Sequence, residues 1–317
     1  SEDAVIQKSK FIADTIYLSG VVQFQSAPVT FIGTVINEDT LRNYHNSTYL
    51  ATIEGSIINN GVVTDNVFKT NLEISGDIVN HGSWNTNNNN LTGDEDQNLY
   101  FYNEVSISNL FVSNPEGKII AQTDLHFYNS EINLENDTLL LDNGSRLFLS
   151  ASTIDKAAII NDTFHSNLPL TLNFSNDSRI RRSVFISDSI ILEGTIQAGT
   201  APVGFHGNVI LEGTLQNAGD ADYSVMVNGD FINNGSIVNN IHGINLSLNG
   251  DITHNGRWEN DTTFLSGITD QNLIFNRPFC GNHLIDTDGV TNNISPVRLI
   301  FKGTHINFAS ADLSLPE

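Results

Sequence analysis

The sequence predicts an all-β protein, a parallel β-solenoid with about 20 residues per coil, and three observations predict it. The first is a duplication. EGTIQAGTAPVGFHG (193–207) repeats SGVVQFQSAPVTFIG (19–33) at a shift of 193 − 19 = 174 positions, and an ungapped overlay of 9–101 on 183–275 gives 40 identities in 93 positions. The second is a shorter period inside each copy: FIGTVINED, IEGSIINNG and ISGDIVNHG place glycines at 33, 55 and 76, and VNGDFINNG and LNGDITHNG again lie 21 apart. The third is alternation of apolar and polar residues without a helical period, as in LHFYNSEINL (125–134) and LPLTLNF (168–174). A coil this short cannot bury its apolar side alone, so successive coils must stack and share one core. A pair of β-sandwiches is the competing fold.

The duplication sets the organisation. Residues 1–143 form the first repeat copy, 144–174 complete that repeat as further coils, and 175–317 form a second, truncated copy. One continuous solenoid is expected, cut from a longer tandem array.

Positions shared by the copies are mainly structural. Asn59, Asn80 and Asn233 each stand two residues before a glycine (Gly61, Gly82 and Gly235), and His254 takes that place in the fourth motif. Asparagine tolerates turn backbone and glycine supplies positive φ. Stacking would let one amide bond the next, as in cross-β ladders. Gly76 and Gly250 mark the matching turn in the two copies. Trp84 and Trp258 also match. They are binding candidates as platforms for sugar rings, although the alternation Ile74–Gly76–Ile78 continues to Trp84 and points it inward.

Composition excludes whole classes of function. Asp and Glu number 36 against 14 Lys and Arg, a net charge of −22, which disfavours nucleic acid because phosphate backbones need a basic patch. No apolar run reaches membrane-spanning length, so no membrane insertion is expected. A single cysteine, Cys280, rules out an internal disulfide.

Chemistry is sparse. No zinc spacing, P-loop, dinucleotide fingerprint or nucleophile elbow is present. Arg179 and Arg181 share one strand face in RIRR and could grip a carboxylated sugar, but their counterparts in the first copy are Val5 and Gln7. Asp96 in GDEDQN, with Asp286 and Asp288 in DTDG, suggests fragments of calcium loops that complete no ligand pattern. The expected cofactor set is therefore none, with calcium left open. No catalytic residue is assigned.

The phrases INLENDTLLLDNGSRLFLSASTI (132–154), VNGDFINNGSIVNN (227–240) and NGRWENDTTFLSGITDQNLIF (255–275) resemble the repeats of bacterial exported, adhesin-like parallel β-helix proteins. The resemblance implies a right-handed β-helix, secretion or cell-surface display, and contact with polysaccharide or cell-surface glycan. A non-enzymatic adhesin-like module is the leading expectation. A β-helical polysaccharide lyase or glycoside hydrolase is the alternative, since fold does not decide function. An adhesin gains avidity by repeating one surface, whereas an enzyme needs an asymmetric acid/base site in one copy.

Overall fold

Residues 49–91 show how a coil is built. Tyr49–Glu54, Ile57–Asn59 and Val62–Thr64 form one turn of chain. Thr70–Ile74, Ile78–Asn80 and Ser83–Leu91 form the next. Each strand pairs in parallel with the one a turn away, so that Ala51 meets Leu72, Ile57 meets Ile78 and Val63 meets Trp84. Side chains on a strand alternate sides. Ala51, Ile53, Ile57, Val63, Leu72 and Ile74 therefore all point into the coil and are fully buried.

The computed structural model describes residues 3–44, 47–161, 168–175, 178–219, 221–287, 292–295, 305–308 and 313–314. They carry strands joined by parallel ladders and no helix, as a β-solenoid of about 13 turns with about 21 residues per turn. No helix among them is long and apolar enough to cross a membrane. The chain divides into two units, Ser1–Ala158 and Ile159–Glu317. The division falls within 144–174, the segment that the duplication leaves unmatched.

The units repeat each other's strand register as well as each other's sequence. Lys10 pairs with Thr30 and Val184 with Gly204. Val35 pairs with Ile57 and Val209 with Phe231. Asn71 pairs with Asn88 and Asn245 with Thr262. Even an irregularity recurs, for the ladder slips between Ile12 and Thr15 and again between Ile186 and Ser189. The match drifts by one residue further on, where Gln97 pairs with Ile119 but Gln271 with Asn292.

Backbone crowding fixes the glycine period. Gly55 has φ +146°, and a Cβ on it would lie 2.4 Å from the Gly33 carbonyl oxygen. A Cβ on Gly76 would lie 2.6 Å from the Gly55 carbonyl carbon. Coils approach so closely at this corner that a side chain has no room. Gly207, Gly229 and Gly250 build the same column in the second unit.

Candidate functional site

The short asparagine motif lies inside the coils. Asn37 Nδ2 donates to Asn59 Oδ1 at 2.7 Å, and Asn59 Nδ2 donates to Asn80 Oδ1 at 2.7 Å. Asn59 also donates to the Ser83 carbonyl at 3.1 Å, clamping the following turn. All three amides are fully buried. In the second unit Asn233 donates to the Arg257 carbonyl at 2.9 Å and faces His254 Nδ1 at 3.2 Å, while His254 Nε2 faces the Pro278 carbonyl at 3.3 Å. Desolvation lowers the His254 pKa and keeps the ring neutral. Asn37 escapes the sequence motif because Asp39 follows it where the other copies have glycine. These residues hold the fold and do not face a ligand.

The tryptophans need a correction. Trp84 is 2% exposed and Trp258 1%, so neither can offer a ring to a sugar. Trp84 Nε1 donates to Thr86 Oγ1 at 3.2 Å and to Asn89 Oδ1 at 3.3 Å. Trp258 Nε1 donates to Asn260 Oδ1 at 3.1 Å, and its ring packs against Phe231, His254 and Phe279. Buried indoles find an internal partner for the N–H. The exposed rings of the first unit are elsewhere: Tyr102 stacks on His81 at 4.5 Å, with Tyr102 55% exposed.

The remaining sequence candidates are dispersed. Arg179 and Arg181 lie half-buried on the outer side of Arg179–Arg181, with Ile180 buried between them. The stem of Arg181 covers Gly199, where a Cβ would stand 3.0 Å from Arg181 Cγ. Asp96 accepts the Lys118 backbone N–H at 2.9 Å, which is turn chemistry. Asp286 is buried at the end of His283–Asp286, and Asp288 lies outside the described residues. Among the described residues no three His, Cys, Asp or Glu side chains gather into a metal-binding group.

Outer carboxylates are instead drawn into columns. Asp77 accepts the Asn98 backbone N–H at 2.7 Å, and Asp251 accepts that of Asn272 at 2.8 Å. Glu38 accepts from Asn60 at 3.0 Å and Glu212 from Asn234 at 2.8 Å. The second column continues, Asn255 donating to Asn234 and Asn276 to Asn255 at 2.8 and 2.6 Å. Asp124 pairs with Arg146 at the surface of the first unit. Burial alone would raise its pKa, but hydrogen bonds and charge from Arg146, at 2.6 Å, outweigh that and hold it low.

The feature that breaks this regularity is a cleft in the second unit. At the ladder slip Gly207 takes φ +138°, and a Cβ there would lie 1.6 Å from the Ser187 carbonyl oxygen. A bulge of this kind re-aims side chains. The cleft beside it has a volume of about 460 Å³ and is walled by Asp188, His206, Asn208 and Asn228 with Ile160 and Ile186. His206 Nδ1 faces Asn228 Nδ2 at 3.2 Å. Sequence reading passed over this group because its members come from four strands or bends with no motif in common. The available signal was the departure between copies, His206 for Ile32 and Asn228 for Glu54.

No protein-family model, no curated protein sequence and no solved structure matches the chain.

Proposed function

We propose that the chain is a non-enzymatic, adhesin-like β-solenoid module, secreted or displayed at a cell surface, that holds polysaccharide along one outer face. One observation carries this reading: the outer carboxylates are spent in hydrogen-bonded columns that recur in both units, as with Asp77–Asn98 and Asp251–Asn272. Polysaccharide cleavage needs an acid and a base focused on one bond, whereas a repeated polar surface offers many weak, equivalent contacts that sum through avidity. Aligned amides both donate and accept, which suits sugar hydroxyls. The charge of −22 disfavours anionic polymers and keeps the surface hydrated.

Affinity electrophoresis of the intact chain through gels of neutral and anionic polysaccharides, with and without chelator, tests the proposal. Retardation by a neutral polymer without release of reducing ends is the expected result. New reducing ends, or unsaturated ends absorbing in the ultraviolet, would establish the β-helical enzyme in its place. A chelator-dependent retardation would bring calcium into the contact.

A further inference from the structure

The ladder slip beside the cleft recurs in both units, but the side chains around it differ. Asp14 and Asp188 correspond, as do Gly33 and Gly207, so the backbone device is common to both copies. The walls differ: His206, Asn208 and Asn228 replace Ile32, Thr34 and Glu54. Random divergence would scatter polar residues, yet these three line one cleft with the retained aspartate.

Their hydrogen-bonding roles are set from outside the cleft. Ser247 and Ser266 hydroxyls lie 2.7 Å apart, and Ser266 Oγ–H donates to Asn249 Oδ1. Asn249 Nδ2 donates to Asn228 Oδ1 at 2.6 Å. With its oxygen occupied, Asn228 turns its NH₂ toward His206 Nδ1. A neutral imidazole accepting at Nδ1 carries its proton on Nε2. The ring rests over Gly204, where a Cβ would touch Nε2 at 3.6 Å. Asn208 is fixed in the same way: its Oδ1 accepts the Asp230 backbone N–H at 3.0 Å, leaving its NH₂ as the donor. The wall thus carries one carboxylate acceptor, Asp188, with two donor groups, the His206 ring and the Asn208 amide.

We infer that this cleft is a subsite for one uncharged pyranose unit of a polysaccharide. One acceptor beside two donors matches two neighbouring hydroxyls, each of which gives one hydrogen bond and takes another. Ile160 and Ile186, on paired strands, supply an aliphatic ledge for the C–H side of the ring, and Ile186 is 39% exposed. A volume of about 460 Å³ falls in the range of small-molecule sites, and donors locked before binding lose little entropy on engagement. Asp188 in the wall repels a uronate or sulfated sugar. The inference rests on the polysaccharide reading and adds to it the place, the ring chemistry and the asymmetry between copies.

The test is NMR of the ¹³C-histidine-labelled full chain, titrated with gluco-, manno-, galacto- and xylo-oligosaccharides and with a uronate oligomer. At least one neutral oligosaccharide should shift the His206 Cε1–H signal. Its affinity should fall at least tenfold in both D188A and H206A, recover partly in H206Q, and stay unchanged in T34A of the first unit. Melting temperatures of all variants should match wild type, since Asp188 is exposed and His206 half-exposed. An unmoved His206 signal with every neutral sugar, undiminished affinity in D188A and H206A, or equal binding of the uronate would each overturn the subsite. Retardation by polymer with an unmoved His206 would sink the subsite alone. A sugar-specific His206 shift without any retardation would sink the extended-surface reading and leave the subsite standing.

Discussion

The buried corner column reads Asn37–Asn59–Asn80 in the first unit and Leu211–Asn233–His254 at the same places in the second. The first is a chain of amides in which Asn37 and Asn59 each give one bond to the next amide. It ends badly on both sides: Asn37 Oδ1 and Asn80 Nδ2 are buried without a partner. In the second unit the histidine finishes the donor end, reaching the Pro278 carbonyl through Nε2. Leucine at the other end leaves Asn233 Oδ1 unpaired, because nothing there donates to it. A repeated polar ladder gains from each internal rung and loses at its ends, since an unmet buried group keeps its whole desolvation cost. Histidine mends one end and brings a titratable group with it.

Removing the large ring beside each column should have the greatest effect. Trp258→Ala and Trp84→Ala should each lose about 3–5 kcal/mol in chemical denaturation, from lost burial and the cavity left behind. Trp258 packs against three aromatic rings, so its loss should be the larger. Equal, small changes in both variants would show that the two coil interiors collapse freely around the gap.

Next in size is the column itself. Asn59→Ala leaves Asn37 Nδ2 only its longer contacts to the Asp39 and Val62 carbonyls, at 3.3 Å each, and takes away the amide that donates to Asn80 Oδ1 and the Ser83 carbonyl. Asn233→Ala strands His254 Nδ1 and the Arg257 carbonyl. At about 1–3 kcal/mol for a buried group left unpaired, Asn59→Ala should lower the melting temperature more than Asn233→Ala. The opposite order would mean that the first ladder is mostly strain.

Acid should separate the columns further. The folded pKa of His254 is depressed below its ordinary value of 6.5 by burial. Below pH about 6.5 the unfolded chain therefore binds a proton that the folded one refuses, and stability falls with pH down to the folded pKa. His254→Asn restores the residue of the first unit and should remove that part of the acid sensitivity in thermal melts between pH 7.5 and 5. A slope identical in wild type and variant would assign the acid response to other groups.

The smallest effect is a coupling. Leu211→Asn places a donor opposite Asn233 Oδ1, so a double-mutant cycle with Asn233→Ala should yield about 0.5–1.5 kcal/mol of favourable interaction. A coupling of zero would show that the rung needs more than the residue type.

Much of this was legible in the residues. Glycines 33, 55 and 76 declare the coil period because each backbone touches the next, and that contact admits no side chain. The asparagine two places before a glycine announces the buried turn, and the parity from Ile74 to Trp84 runs inward. Asn37 was hidden because its motif lacks the glycine, and the corrected tryptophans show that a shared aromatic can belong to the core as readily as to a surface. The cleft was legible only as a departure between the copies, His206 for Ile32 and Asn228 for Glu54. Asp188, His206, Asn208 and Asn228 are spread over 41 positions, and only coil stacking and the slip at Gly207 bring them to one wall.

What the sequence determined by itself was everything periodic: strand alternation, coil length, the duplication at 174 positions, the glycine and asparagine columns, and the acidic surface. Local steric rules and the two-residue period of a strand act the same way at every coil, so repetition in the letters becomes repetition in space. What only the tertiary structure decided was which ends of a ladder are satisfied, which aromatics face water, and where polar side chains from separate coils converge. Those depend on the register between strands about 20 residues apart, and a single slipped residue in that register changes the neighbours of every side chain beside it.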